Sequence, residues 1–80
     1  MNSTPAQVYL TLFSTSACHL CEEAEAILHK ASIFITKFDI LDEDSIFDRY
    51  SLRIPVLKRL DNGDELDWPF DSASVIRFLK

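Results

Sequence analysis

The chain has 80 residues, a formal net charge of −5 and a hydrophobic share of 48%. This length fits one domain with one modest core, whose folding buries roughly 60% of the surface of the unfolded chain. The acidic balance argues against nucleic-acid phosphates as a partner. No run of about 18 apolar residues is present, so we expect no membrane span.

The N-terminal sequence and the cysteine count indicate a compartment. Residues 1–6 form a polar lead-in that we expect to be flexible, and they lack the basic and apolar regions of a secretory signal peptide. Two cysteines are too few for the disulfide framework of a small secreted protein. We therefore expect a cytoplasmic protein, in which neighbouring cysteines are redox-active or metal-binding more often than structural.

The first half of the chain alternates strand and helix patterns. An apolar run at residues 8–13 predicts a central strand covered on both faces. A helix is predicted from about His19, because apolar residues recur there at helical spacing. Its apolar stripe comprises Leu20, Ala24, Ile27, Leu28 and Ala31. Residues 33–40 predict a second strand, and residues 43–50 predict a short helix with Asp42 as its N-cap.

The second half predicts a hairpin and a last helix. A third strand begins at Ile54, and Asn62-Gly63 predicts a two-residue turn, so strands three and four are antiparallel. Asp71 caps a helix over residues 72–79, whose buried stripe is Val75, Ile76 and Leu79. The order β-α-β-α-β-β-α predicts an α/β fold with a four-stranded mixed sheet, three helices and a parallel first crossover.

Cys18-His19-Leu20-Cys21 lies where the first strand gives way to the first helix. A helix N-terminus carries unpaired N–H groups and a partial positive charge, which stabilise a sulfur there as thiolate, the form that attacks disulfides. Cysteines three positions apart share one face of a helix, so each sulfur can reach the other. The motif predicts a redox pair in which Cys18 attacks and Cys21 resolves the mixed disulfide.

Side chains near the cysteines are candidates for tuning them. We assign His19 and Leu20 as modulating residues, because an imidazolium between the cysteines would favour the thiolate. The alternative is that both are exposed residues that only fill the motif. Glu22, Glu23 and Glu25 suit the helix macrodipole but oppose a neighbouring thiolate, and the sequence does not decide which effect is larger.

Other interpretations of the two cysteines stay open. One is a pair of structural thiols in a non-catalytic module that docks a partner. Another is a carrier of zinc or an iron–sulfur cluster. Zinc takes four ligands in structural sites, and His29 lies about two helical turns past Cys21. One protomer therefore cannot easily close such a site, and we assign no metal ligand.

The cysteine motif between strand and helix, followed by Ile54-Pro55-Val56 at the start of a strand, resembles a small glutaredoxin-like protein of the thioredoxin-fold superfamily. The resemblance covers roughly residues 8–79. It implies a cis Ile54–Pro55 peptide beside the active-site disulfide, with the backbone N–H and C=O of Ile54 presented to a bound thiol. Asp71 and Ser72 would offer the N-terminus of the last helix to a substrate carboxylate. The implied function is thiol–disulfide exchange by a monomer.

The chain departs from the family's pattern at positions that bear on the choice of reductant. His19 and Leu20 replace the Pro-Tyr of the common C-P-Y-C motif, and residues 14–16 lack the family's basic residue. Residues 68–70 replace the Gly-Gly pair that admits glutathione. We expect no cofactor, no nucleic acid and no membrane; the partner is a disulfide-containing protein or a low-molecular-weight thiol. Glutathione is a candidate reductant against which these departures argue.

Charged residues outside the motif each have two interpretations. The acidic positions between residues 39 and 48 form either a solvated face or a docking surface for a basic partner. Arg49 and Arg53, just before Ile54-Pro55, either meet a substrate carboxylate by analogy or are ordinary surface charge.

Overall fold

Within residues 9–80, which the computed structural model describes, three α-helices and four strands follow the predicted order. The elements are β1 (Leu10–Ser14), α1 (His19–Lys30), β2 (Thr36–Asp39), α2 (Asp44–Tyr50), β3 (Val56–Arg59), β4 (Glu65–Asp67) and α3 (Ser72–Phe78). A short 3-10 helix, Ile40–Asp42, links β2 to α2. The predicted flexible lead-in (residues 1–6) and the predicted strand residue Val8 lie outside the described residues.

The four strands form one mixed sheet in the order β2-β1-β3-β4. β1 pairs with β2 in parallel, which places Phe13 beside Phe38, and with β3 antiparallel, which places Phe13 beside Val56. β1 and β3 are thus the central strands, which fits the apolar Leu10, Leu12 and Phe13 of β1 and the buried Val56 and Leu57 of β3. The predicted α/β fold and the parallel first crossover are confirmed.

The core lies on both faces of the sheet, because successive residues of a strand point to opposite sides. Leu12 and Leu57 point to one face, where they pack with residues of α1 and α3. Phe13 and Val56 point to the other, where they pack with Tyr50 of α2. The two helices α1 and α3 therefore cover one face, and α2 covers the other.

The β3–β4 hairpin differs from the predicted two-residue turn at Asn62-Gly63. Lys58 pairs with Glu65, and the Arg59 N–H donates to the Asp64 C=O at 2.9 Å, so the loop comprises residues 60–63. The Gly63 N–H donates to the Arg59 C=O at 2.9 Å. Gly63 has a φ of 79°, a left-handed conformation that favours glycine, at the end of this loop. The glycine closes a longer loop instead of sitting at the centre of a tight turn. The predicted antiparallel pairing is confirmed.

Two predicted boundaries are wrong around the 3-10 helix. The second strand is only Thr36–Asp39, because the Asp39 carboxylate accepts the Leu41 N–H at 3.0 Å and starts the 3-10 helix. Asp42 lies inside that helix, so it cannot be the N-cap of α2. Glu43 occupies the N-cap position and makes no capping bond with its side chain.

The apolar stripes predicted for α1 and α3 each contain buried residues, as expected, and one residue that is exposed. Ala24 and Leu28 of α1 and Val75 of α3 are buried, whereas Leu20 is 44% exposed and Ile76 is 50% exposed. α3 is short and packs through Val75 and its neighbours three and four positions on, Phe78 and Leu79. Ile76 is turned away from that face.

Candidate functional site

Cys18 and Cys21 are joined as a disulfide at the beginning of α1, with their Cα atoms 5.2 Å apart. Cys18 is the N-cap residue, and its sulfur accepts a hydrogen bond from the Cys21 N–H, with an N···Sγ distance of 3.2 Å. A serine or aspartate oxygen usually makes this contact. The Cys18 C=O accepts the Glu22 N–H at 3.1 Å and starts the helix. The sulfur of Cys18 therefore lies directly against the N–H groups of the first helical turn.

The two sulfurs differ in exposure. Cys21 is 1% exposed, on the buried face of α1 that continues through Ala24 and Leu28. Cys18 is half-buried, at the end of the turn that leaves β1. Ala17 makes that turn possible with a φ of 56°, in the left-handed region. One sulfur is thus open to a partner and the other is enclosed.

The strand register brings the Ile54–Pro55 loop to the same end of the sheet. Phe13 pairs with Val56 and Val56 with Asp67, so Ser14, Pro55 and Trp68 lie at the next step across three adjacent strands. The turn that carries Cys18 begins at Ser14. The Ile54–Pro55 peptide is cis, and so is Trp68–Pro69. Pro55 is fully buried, and Ile54 packs against the cluster around Tyr50.

The backbone of Ile54 is partly engaged within the protein. Its N–H donates to the Tyr50 C=O at 3.1 Å, and the Arg53 N–H donates to the same oxygen at 2.8 Å. The Ile54 N–H, which we expected to contact a bound thiol, is therefore already hydrogen-bonded to Tyr50. The Ile54 C=O stays the predicted contact for a bound thiol.

A hydrogen-bonded network fastens this loop to β4. The Arg53 guanidinium donates to Glu65 Oε1 at 2.8 Å and to Asp67 Oδ1 at 2.6 Å, and the buried Tyr50 hydroxyl donates to Glu65 Oε2. Tyr50 also stacks on Phe13, with ring centroids 4.1 Å apart. The sequence left Arg53 as either a substrate contact or surface charge. In the structure, Arg53 is paired with two carboxylates, and no local sequence signal indicated this pairing.

The network shifts the pKa values of its members. Burial raises the pKa of Glu65, but the hydrogen bonds from Tyr50 and Arg53 outweigh burial and hold the pKa below its usual value. Burial and the hydrogen bond to Glu65 raise the pKa of Tyr50. The hydrogen bonds to Asp67 and Glu65 raise the pKa of Arg53. The network therefore favours the ionised form of the Glu65 carboxyl group beside a permanent cation.

An acidic cleft of about 570 Å³ opens beside the turn that precedes Cys18. Its charged lining residues are Glu22, Glu25, Lys37, Asp39 and Asp42. Lys37 contacts the Glu25 carboxylate at 3.2 Å, so the single lysine of this lining is already paired. The Asp39 carboxylate accepts the Thr15 hydroxyl at 3.1 Å and ties the turn to β2. The surroundings of the cleft are net negative.

The remaining predicted site residues lie at the surface. The His19 imidazole faces the Glu23 carboxylate at 3.0 Å. Asp71 is the N-cap of α3, as predicted, and its carboxylate accepts the Ser74 N–H at 2.8 Å, which lowers its pKa. Ser72 is the exposed first residue of that helix. The modulating role of His19 and Leu20, and the carboxylate-binding role of Asp71 and Ser72, stay predictions.

The part of the chain that the structure describes contains no group of three or more His, Cys, Asp or Glu side chains arranged to hold a metal ion. His29 is exposed and lies away from the cysteines on α1. No helix among residues 9–80 is both long enough and apolar enough to cross a membrane.

Fold and site together define a thioredoxin-like α/β protein with a cysteine pair at the start of its first helix. A family model described as Glutaredoxin-like domain (DUF836) matches residues 9–80. The chain therefore belongs to the glutaredoxin-like family. At a significant level, no curated protein matches it.

Solved structures of similar chains share the fold. The X-ray structure of Northeast Structural Genomics target protein XcR50 from X. campestris is 38% identical, with a TM-score of 0.80 and coverage of 88% of this chain and 93% of that one. The solution structure of XcR50 gives a TM-score of 0.78 at 38% identity, over 89% of this chain and 91% of that one. Protein Ne2328 from Nitrosomonas europaea is 26% identical, with a TM-score of 0.76 over 100% of both chains.

The lowered pKa of Glu65 predicts a pH-dependent contribution to stability. A carboxyl group whose pKa is lower in the folded state stabilises that state above its unfolded value of 4.5, and this contribution is lost as the pH falls through the folded value. Glu65→Gln should therefore lower the free energy of unfolding by about 1–2 kcal/mol at about pH 7 and by much less at about pH 3.

Urea unfolding of wild type and of Glu65→Gln across this pH range measures the difference in their free energies of unfolding. Asp48→Asn is the control, because it removes the same charge from an exposed position on α2. A difference between wild type and Glu65→Gln that stays constant with pH would contradict the assignment.

Proposed function

We propose that this protein is a thiol–disulfide oxidoreductase that uses Cys18 and Cys21 as a dithiol. The observation that supports this most strongly is the difference between the two sulfurs. Cys18 is half-exposed and accepts an N–H of the first helical turn, whereas Cys21 is buried and within disulfide reach. Attack needs an accessible thiolate, and resolution needs only a second thiol beside the first.

The reaction proceeds in two exchange steps. The Cys18 thiolate attacks one sulfur of a substrate disulfide; the substrate S–S bond breaks, a Cys18–substrate bond forms and the first substrate thiolate leaves. The Cys21 thiolate then attacks the Cys18 sulfur, and the second substrate thiolate leaves. The substrate gains two electrons and the protein gains the Cys18–Cys21 disulfide. An external thiol returns the protein to the dithiol form.

The position of Cys18 supplies the main driving force for ionisation. The N–H groups of the first helical turn stabilise negative charge on its sulfur. The Glu22 carboxylate and the acidic cleft oppose that charge, but both are exposed to solvent, which screens them. We infer that the direct N–H contact prevails, with His19 and Leu20 as modulating neighbours.

We propose a disulfide-containing protein or a low-molecular-weight thiol as the partner of a monomeric protein, in a reducing compartment such as the cytoplasm. The Ile54 C=O would pair with an extended substrate chain beside Pro55. Asp71 and Ser72 would lie at its flank.

Replacement of the two cysteines should have different consequences. Cys18→Ser should abolish disulfide reduction, because it removes the attacking thiolate. Cys21→Ser should instead accumulate a covalent mixed disulfide between Cys18 and the substrate, because nothing resolves it. Turnover assays with a peptide disulfide, and mass spectrometry of the trapped species, measure both effects.

Ala26→Ser, at an exposed position of α1, is the matched control and should keep full activity. Full activity of Cys18→Ser would refute the assignment of the attacking sulfur. If wild type and both cysteine variants were equally inactive towards all disulfides, the chain would instead be a non-catalytic binding module.

The acidic cleft predicts that salt accelerates reduction of the protein by glutathione. Glutathione is anionic at neutral pH, and it is repelled by the carboxylates beside Cys18. Raising the ionic strength from about 0.01 M to about 1 M shortens the Debye length from roughly 30 Å to roughly 3 Å and screens this repulsion. The rate with glutathione should rise several-fold, and the rate with dithiothreitol, whose attacking thiolate carries less negative charge, should rise less.

Stopped-flow measurements on the oxidised protein provide both rates. A glutathione rate that falls as salt is added would show attraction instead of repulsion and would overturn this account of the cleft.

A further inference from the structure

The segment between α2 and β3 carries the Ile54–Pro55 loop, in which Pro55 is buried and Ile54 packs against the cluster around Tyr50. Leu52 is 99% exposed, and Arg53 adds a polar attachment to β4. Its guanidinium spans from Glu65 to Asp67, the first and last residues of β4. The guanidinium carbon also lies 5.1 Å from the centre of the Tyr50 ring.

Tyr50 supplies the second attachment of the same loop. Its C=O accepts the N–H groups of Arg53 and Ile54, and its hydroxyl donates to the Glu65 carboxylate that Arg53 also contacts. The aromatic ring is 1% exposed and stacks on Phe13 of β1. One carboxylate, Glu65, therefore joins the end of α2 and the loop to β4.

We propose that Arg53 is a positioning residue: with Glu65 and Asp67, it holds the Ile54–Pro55 backbone against β4 at the end of the sheet where Cys18 lies. This inference rests on the proposed function and deepens it. Arg53 is occupied by protein carboxylates, so its role is to place the loop on which an extended substrate docks. It does not bind a substrate carboxylate itself.

The geometry requires the fork of a guanidinium. Arg53 donates from Nε and Nη2 to the two oxygens of Asp67, at 3.2 and 2.6 Å, while Nη2 also contacts Glu65. A lysine offers one compact charge and cannot reproduce this paired contact. Arg53→Lys should therefore recover only part of the function lost in Arg53→Ala.

The proposal predicts a defect that depends on the substrate. Arg53→Ala should raise KM for a peptide disulfide by about tenfold, because the chain loses a correctly placed docking edge, while kcat changes little. Turnover of 2-hydroxyethyl disulfide, which has no peptide backbone to dock, should stay within twofold, roughly, of wild type. Arg77→Ala, at an exposed position of α3, is the control and should leave KM unchanged for both disulfides.

Amide hydrogen exchange gives a second measurement that needs no catalysis. The Ile54 N–H is bonded to Tyr50, and release of the loop should accelerate its exchange by about tenfold in Arg53→Ala but not in Arg77→Ala. Glu65→Gln keeps an acceptor for the Tyr50 hydroxyl and should give an intermediate acceleration. It serves as the test variant if Arg53→Ala does not fold.

The outcomes separate this proposal from the proposed function. Unchanged Ile54 exchange in the test variant, or equal losses with both disulfides, would overturn the positioning role even if Cys18 is the attacking sulfur. Faster Ile54 exchange together with a fully active Cys18→Ser would support the positioning role and reject the assigned chemistry.

Discussion

The hydrogen bond from the Cys21 N–H to the Cys18 sulfur is the contact on which the account of this protein depends. It exists because a cysteine occupies the N-cap position, where an oxygen side chain is usual. The buried face of α1, through Ala24 and Leu28, anchors the helix on the sheet, so its first N–H groups cannot drift away from the sulfur. Hydrophobic packing of α1 on the sheet thus holds the Cys21 N–H against the Cys18 sulfur.

A second constraint brings a substrate-docking edge to the same place. The antiparallel register of β1, β3 and β4 aligns Ser14, Pro55 and Trp68 at one end of the sheet. The loop before β3 is held there by the burial of Pro55, by the packing of Ile54 and by the polar contacts of Arg53 to Glu65 and Asp67. The docking loop therefore has a charged attachment in addition to its apolar one, and this attachment can be perturbed without changing the dithiol.

Parts of the fold and of the site are predictable where one local signal dominates. The cysteine motif, the Asp71 cap and the two central strands each follow from nearby residues, and the structure has the cysteine pair, the cap and the strands in those places. Other parts are not predictable, because their partners are distant in sequence or because local signals compete. Asn62-Gly63 suits a tight turn, but strand pairing at Lys58 and Glu65 sets a longer loop. The role of Arg53 depends on Glu65 and Asp67, which become its neighbours only when β4 folds back. No pattern within a single element contains that information.

The most direct test of the central claim is the pH dependence of Cys18 alkylation in the Cys21→Ser variant, which keeps the backbone N–H at position 21. An exposed thiol ionises near pH 8.5, so its alkylation reaches half of the maximal rate at about that pH. We expect a midpoint at least about one pH unit lower for Cys18, because the helix N–H groups stabilise its thiolate. A midpoint at or above about 8.5 would show that the acidic surroundings outweigh the helix and would contradict the account.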